Sequence, residues 1–237
     1  MSDDRPLIEI QGVGKDHGGD RPLRIQSLSV GARDRVTLSG LNRAEAETLI
    51  HLVSGAAVPD TGSVMVAGTD TRSIVTDTEW LVSLDRFGVV THRAVLLDSL
   101  SIAANLALPI SLAVDPMPPP VRAAVDDLAL AAGLDRATLD RPVSSLDAFG
   151  RARLHLARAL ATSPRLLLLE HPTLELTDEA ERQALGRTLR QVADARGLGW
   201  LAISDDERFS RSAGGHVWRL APGTGVLTRR RSWWPWG

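Results

Sequence analysis

The chain has no cysteine, so it carries no disulfide scaffold, no thiolate nucleophile and no zinc-thiolate site, although this says little about compartment. It is almost without lysine: of 27 basic residues only Lys15 is one, and the rest are arginine. No run of about 18 uncharged apolar residues occurs, so no segment reads as a membrane span. The acidic start Met1-Ser2-Asp3-Asp4 lacks the order of a secretion signal, and the chain is expected in the cytoplasm. There is no internal repeat at solenoid spacing. A net charge of -2 argues against nucleic acid as a partner. What is present, 237 residues at 43% apolar and 24% charged, is enough for one substantial core in a globular chain.

Short strands are expected at 7–13, 24–30 and 35–39, between Gly-rich and Asp-rich turns. Past Gly40 the spacing turns helical over 45–52, with Leu49, Ile50, Leu52 and Val53 on one side and a stop at Ser54-Gly55. The turn Pro59-Asp60-Thr61-Gly62 leads to a strand at 63–67, and 87–90 is a short apolar strand. Residues 101–132 read as Ala/Leu-rich helix broken at Asp115-Pro116-Met117-Pro118-Pro119-Pro120, which no helix interior holds. A helix over 146–161 precedes Leu166-Leu167-Leu168-Leu169, a run of the kind buried on both faces of a parallel sheet. A long helix capped by Thr177 runs to Arg196, and a buried strand spans 200–204. Strands alternating with helices make an α/β core.

In order, several of these segments resemble the ATP-binding subunit of ABC transporters. Pro59-Asp60-Thr61-Gly62-Ser63-Val64, ending at Gly68, is similar to the turn and strand after that family's phosphate-loop helix. Leu154-His155-Leu156-Ala157-Arg158-Ala159-Leu160, Pro164-Arg165 with the leucine run, and Pro172-Thr173 resemble the helix after the signature motif and the Walker B strand. Leu106-Ala107-Leu108-Pro109-Ile110 is close in style to lipoprotein-release and lipid-trafficking members. The resemblance covers roughly residues 7 to 227. It implies an α/β P-loop NTPase-like ABC ATPase fold, a mixed sheet core with an antiparallel β subdomain and a helical lobe. The division implied is 1–98 and 163–228 for the ATPase-like core, 99–162 for the lobe with a degenerate signature, and 229–237 for a basic, Trp-rich tail. It also implies a dimer holding ATP between one subunit's phosphate loop and the other's signature.

The chemistry at the family's positions is another matter. A phosphate loop GxxxxGK[ST] needs glycines so that its amides can wrap phosphates, a lysine for the terminal phosphates and a hydroxyl for Mg²⁺. The aligned stretch is Gly40-Leu41-Asn42-Arg43-Ala44-Glu45-Ala46-Glu47-Thr48: the second glycine becomes Glu45, the lysine Ala46 and the metal hydroxyl Glu47, with Thr48 next. Two carboxylates would face a triphosphate, a repulsion of roughly several kcal/mol at low dielectric. Glu45 and Glu47 read instead as early-turn acids favouring the helix start. The expected glutamine is His92, and the signature loop is Leu146-Asp147-Ala148-Phe149-Gly150, where an aspartate and a bulky phenylalanine would repel and block a partner's γ-phosphate. At Walker B the aspartate and glutamate become Glu170 and His171; Glu170 could still hold Mg²⁺, whereas His171 is expected to protonate beside phosphates. The D-loop aspartate is Thr177, the switch histidine Asp205, and His17 takes the adenine-stacking position.

Three functions fit these residues. In the first, a chain without hydrolysis motifs is a structural or regulatory subunit, docked on a membrane permease or paired with a second ABC ATPase, peripheral at the inner face of the membrane and needing no cofactor. In the second, weak ATP and Mg²⁺ binding survives through His17, Gly40, Arg43, Thr48 and Glu170. In the third, His92, Glu170, His171 and Asp205 hold zinc or another divalent ion in the vacated site, although they form no recognised local metal pattern and hydrogen-bonded infill is the ordinary fate of such a site. His51, His155 and His216 are expected to be structural or surface residues. Arg229, Arg230, Arg231, Trp233, Trp234 and Trp236 form a tail suited to a membrane surface or an embedded partner, since Arg and Trp join apolar area to a polar handle.

Overall fold

A computed structural model describes residues 5–229. Four strands, β1 (Ile8–Lys15), β2 (Leu23–Val30), β4 (Thr61–Val66) and β5 (Thr69–Asp70), form an antiparallel sheet in the order β2-β1-β4-β5. A second sheet of six strands runs β10 (Val226–Arg229), β9 (His216–Ala221), β3 (Arg35–Ser39), β8 (Gly199–Ile203), β7 (Leu166–Glu170) and β6 (Phe87–Thr91). It is parallel except for β10, which pairs antiparallel with β9. The helices are α1 (Arg43–Ser54), α2 (Asp77–Leu84), α3 (Ile102–Ala107), α4 (Pro119–Ala131), α5 (Ala148–Ala159), α6 (Glu179–Arg196) and α7 (Glu207–Ala213).

The leucine run explains itself once its neighbours are known. Successive side chains of a strand point to opposite faces. Leu166 and Leu168 join Leu201 and Ile203 in a core with α1 and the antiparallel sheet, while Leu167 and Leu169 join Trp200 and Ala202 in a core with α3 to α7. Both faces of β7 and β8 are therefore buried, as parallel strands require. The apolar residues of α3, α4 and α5 share the second core with the sheet, so the lobe's interior continues into the sheet's.

Helix starts follow side-chain caps more closely than apolar spacing. α6 begins at Glu179, capped by Asp178 rather than Thr177, because the Asp178 carboxylate accepts the Ala180 amide. α5 begins at Ala148, two residues later than the apolar pattern suggests, because Asp147 caps it through the Gly150 amide at 2.7 Å. α2 is set by a capping box between Thr76 and Glu79 and leaves Leu81 and Val82 exposed, which is why apolar spacing gives no sign of it. The 101–132 segment divides into α3 and α4, but not where expected: α3 already ends at Ala107, and Pro119 and Pro120 open α4, since a first-turn proline lacks only an amide that has no helical partner anyway. Arg229 is not part of a tail: it closes β10 opposite Trp218, with Nη2 2.7 Å from His216 Nδ1. Arg230, Arg231, Trp233, Trp234 and Trp236 lie outside the described residues.

Candidate functional site

The segment between β3 and α1 reverses at Gly40, whose φ of +89° and whose contact with the Leu220 carbonyl leave no room for a side chain. Asn42 then caps α1. Its side chain accepts the Glu45 amide at 2.9 Å, and the Glu45 carboxylate accepts the Asn42 amide at 2.8 Å, a reciprocal box. The same carboxylate, 1% exposed, accepts from Arg21 Nε at 2.8 Å. Burial opposes its ionisation, yet Arg21 and the Asn42 amide hold its pKa below the ordinary glutamate value. Glu45 is thus a helix-start acid, as expected, with the loop's Asn42 amide turned onto it. Ala46 is wholly buried in the core, and the Thr48 hydroxyl donates back to the Ala44 carbonyl at 2.7 Å. Arg43, first residue of α1, is exposed.

Glu47 faces outward and pairs with Arg93, with His51 Nε2 4.0 Å away. Arg93 also reaches Glu170, at 2.6 Å, where Thr91 Oγ1 donates to the same oxygen at 2.9 Å. One guanidinium thereby joins α1 to the end of β7, and Glu170 is 1% exposed beneath it. Asp205, after β8, accepts the Gly40 amide at 2.8 Å. Of the two acids expected at the helix start, only Glu45 lies in the first turn of α1; Glu47 pairs across to Arg93 instead. Glu45 and Glu47 each have an arginine, Arg21 and Arg93, neither of which sequence reasoning singled out. The signal for them was the acid excess itself: a buried carboxylate demands a cation, and the chain supplies cations as arginine, whose planar fork suits carboxylates.

His171 follows β7 with φ of +42°, its amide bonded to the Ile203 carbonyl at 2.9 Å. Burial lowers its pKa, outweighing Glu170, the Asn42 backbone and Asp205, so the neutral ring is favoured. His171 and His92 line a cavity of about 30 Å³ with His155 of α5, Glu170, Glu175 and Ala148. His171 Nε2 and His92 Nδ1 are buried there without a hydrogen-bond partner. Among the described residues no group of three or more His, Asp or Glu side chains is placed to hold a metal ion, so His92, Glu170, His171 and Asp205 do not form the ligand set that the third reading needs. His17, half-buried, has both ring nitrogens shielded and unpartnered. In the signature segment Asp147 is spent on capping α5, Gly150 is buried, and the Phe149 ring lies 3.9 Å from the Arg153 guanidinium, with Leu146 and Ala148 packed on the core.

If the box is what closes this loop, Glu45→Ala removes the cap partner of Asn42 and strands Arg21. The expected cost is about 2 kcal/mol of unfolding free energy, read by urea titration at pH 7, with Glu47→Ala costing less because Glu47 is half exposed.

The ABC transporter family profile matches residues 23–174. The chain belongs to the ABC transporter family. Among curated ABC relatives, the sulfate/thiosulfate import ATP-binding protein CysA of Methylococcus capsulatus is 30% identical over 203 residues, 84% of this chain and 56% of that protein. The ATP-binding protein YtrE of Bacillus subtilis is 28% identical over 189 residues, 79% of this chain and 80% of that protein. The chain spans about half the length of the CysA relatives it matches. The ABC fold is matched by cbiO1 of Clostridium perfringens, part of the cbiONQ transporter complex, at TM-score 0.79 and 16% identity over 95% of this chain and 88% of that one. It is matched also by a dimeric ATP-binding cassette bound to ADP and Pi, at TM-score 0.74 and 18% identity over 96% of this chain and 100% of that one.

Proposed function

We propose that this ABC family chain is a non-hydrolysing subunit, a pseudo-ATPase that serves a membrane transport complex as scaffold or regulator. The observation that carries the reading is the self-satisfied loop: Glu45 takes the Asn42 amide and Arg21, Asp205 takes the Gly40 amide, and Arg93 is shared by Glu47 and Glu170. A Mg²⁺-triphosphate does not fit such a set of residues. It needs free amides, a cation reaching inward and a hydroxyl for the metal, whereas Ala46 is buried in the core and Glu47 is a like charge. The second reading, residual binding through Arg43, Thr48 and Glu170, is disfavoured because the Thr48 hydroxyl and Glu170 already have partners and Arg43 is exposed.

The partition we adopt is an ATPase-like core, 1–98 and 163–229, and a lobe, 99–162, with the tail beginning after Arg229. No helix among the described residues is long and apolar enough to cross a membrane, and a place at the inner face of the membrane would come through a permease. The solvent-facing Leu81, Val82, Val95, Leu97 and Leu112 support such a contact, as does a groove of about 350 Å³ lined by Leu84, Phe87, Val89, Ala94 and Pro109. CysA is named as an importer subunit; the segment Leu106–Ile110 is the ground for a lipoprotein-release type instead, and recovery of the permease identifies which. A second chain, the same or a motif-complete ATPase, completes the proposed assembly.

Isothermal titration of ATP with millimolar Mg²⁺ into the purified chain is expected to show no saturable binding below about 1 mM. Saturation in the micromolar range overturns the reading.

A further inference from the structure

His155 stands in the wall between two spaces. On one side is the small cavity shared with His92 and His171; on the other is the larger groove beside α2 and β6. Three elements thus bring an imidazole to one small cavity: α5 gives His155, the segment after β6 gives His92, and the end of β7 gives His171. Two of these rings have a buried nitrogen with no partner. The charged groups around His155 act in both directions, and those on its own helix oppose a proton. From its own helix come Arg151 and Arg158, four residues before and three after, on the same side of the helix. Opposite them are Glu170, whose Oε2 is already shared by Thr91 and Arg93, and Glu175 across the cavity, with Asp85 across the groove. Those two arginines also clamp α5 to the segment after β6, through Arg158 to the Val95 carbonyl at 2.6 Å and Arg151 to Asp98 at 2.8 Å.

We propose that this cavity is a proton-sensitive joint between the lobe helix α5 and the ends of β6 and β7: acidification charges the His155 imidazole in its wall and α5 detaches from the sheet. The reading goes beyond the proposed pseudo-ATPase and does not depend on it. Burial, Arg158, Arg151 and His92 together lower the His155 pKa from 6.5 to about 4, and His171 shifts the same way by burial. A histidine held below its unfolded value favours the neutral folded state, so its contribution is complete above about pH 6.5 and declines as pH falls towards about 4. The opened form takes up protons that the closed form refuses.

The test uses the whole chain. Carbon-edited proton NMR follows the histidine rings from pH 8 to 4, with His155 assigned by loss of its signal in His155→Gln. Hydrogen exchange read by mass spectrometry compares pH 7.5 with pH 5.0 after correction for intrinsic rates. Expected are a His155 midpoint far below 6 and a loss of protection in α5 of about tenfold relative to α6. His155→Gln is expected to abolish that selective loss. A His155 midpoint of 6 or above overturns the proposal, as does equal protection change in α5 and α6, or an α5 response that persists in His155→Gln. Should that variant not fold, the exchange and NMR data on the unaltered chain decide, with the ring assigned through bonds.

Discussion

Arg93→Ala is expected to lower the free energy of unfolding by about 3 kcal/mol at neutral pH, among the largest losses available to a half-exposed side chain. The size comes from what is left behind. Glu170 is 1% exposed and would keep only the Thr91 hydroxyl, while Glu47 would lose its cation as well. Urea titration against the unaltered chain measures the loss. Arg93→Ala with Glu170→Gln should recover most of it, since the amide can still accept from Thr91 and no charge remains enclosed. If the double variant is as weak as the single one, Arg93 acts through packing of its stem and the ion pair is incidental.

Gly88→Ala is expected to cost a similar amount, for an unrelated reason. Gly88 sits in β6 directly against the end of α5, and a methyl group there would collide with the Ala159 carbonyl oxygen and come within 2.8 Å of Leu167 Cδ2 and 3.0 Å of Pro164 Cγ. The side chain of Leu167 can turn aside, but the carbonyl belongs to the backbone and cannot, so helix and strand must separate. Overpacking of that kind costs about 3 kcal/mol and should lower Tm by on the order of 8 °C in a chain of this length. Gly223→Ala is the control: nothing lies within 4 Å of the added methyl, and Tm should stay within about 1 °C. Equal behaviour of the two variants would mean that the contact between β6 and α5 gives way easily.

Much of the fold was readable because its strands are buried on two faces. Leu166–Leu169 and the strand around Leu201 announce themselves as continuous apolar runs, and the alternation of α1 matches its one buried face. α2 was not readable, since its stability comes from a capping box while its apolar residues face solvent. The position of the site was legible from the order of motif-like segments, and so was the change of residue type at Ala46, Glu47, His92 and His171. What those changes do to one another was not. Arg21 lies 24 residues before Glu45, and Arg93 lies 77 before Glu170, so each pairing is a product of the fold and has no local spacing to betray it. The lowered pKa of His171 is of the same kind: burial outweighs the neighbouring acids there, and burial is visible only in three dimensions.

The backbone at His171 carries one more consequence. A left-handed corner in a residue with a β-carbon is uncommon, costing on the order of 1 kcal/mol, and here it persists because the amide is anchored to the Ile203 carbonyl beyond the last paired rung of β8. The ring also interacts with the Asn42 backbone, so the corner ties the end of β7 to the start of α1. A residue without that ring would keep the main-chain anchor and lose the link across to α1.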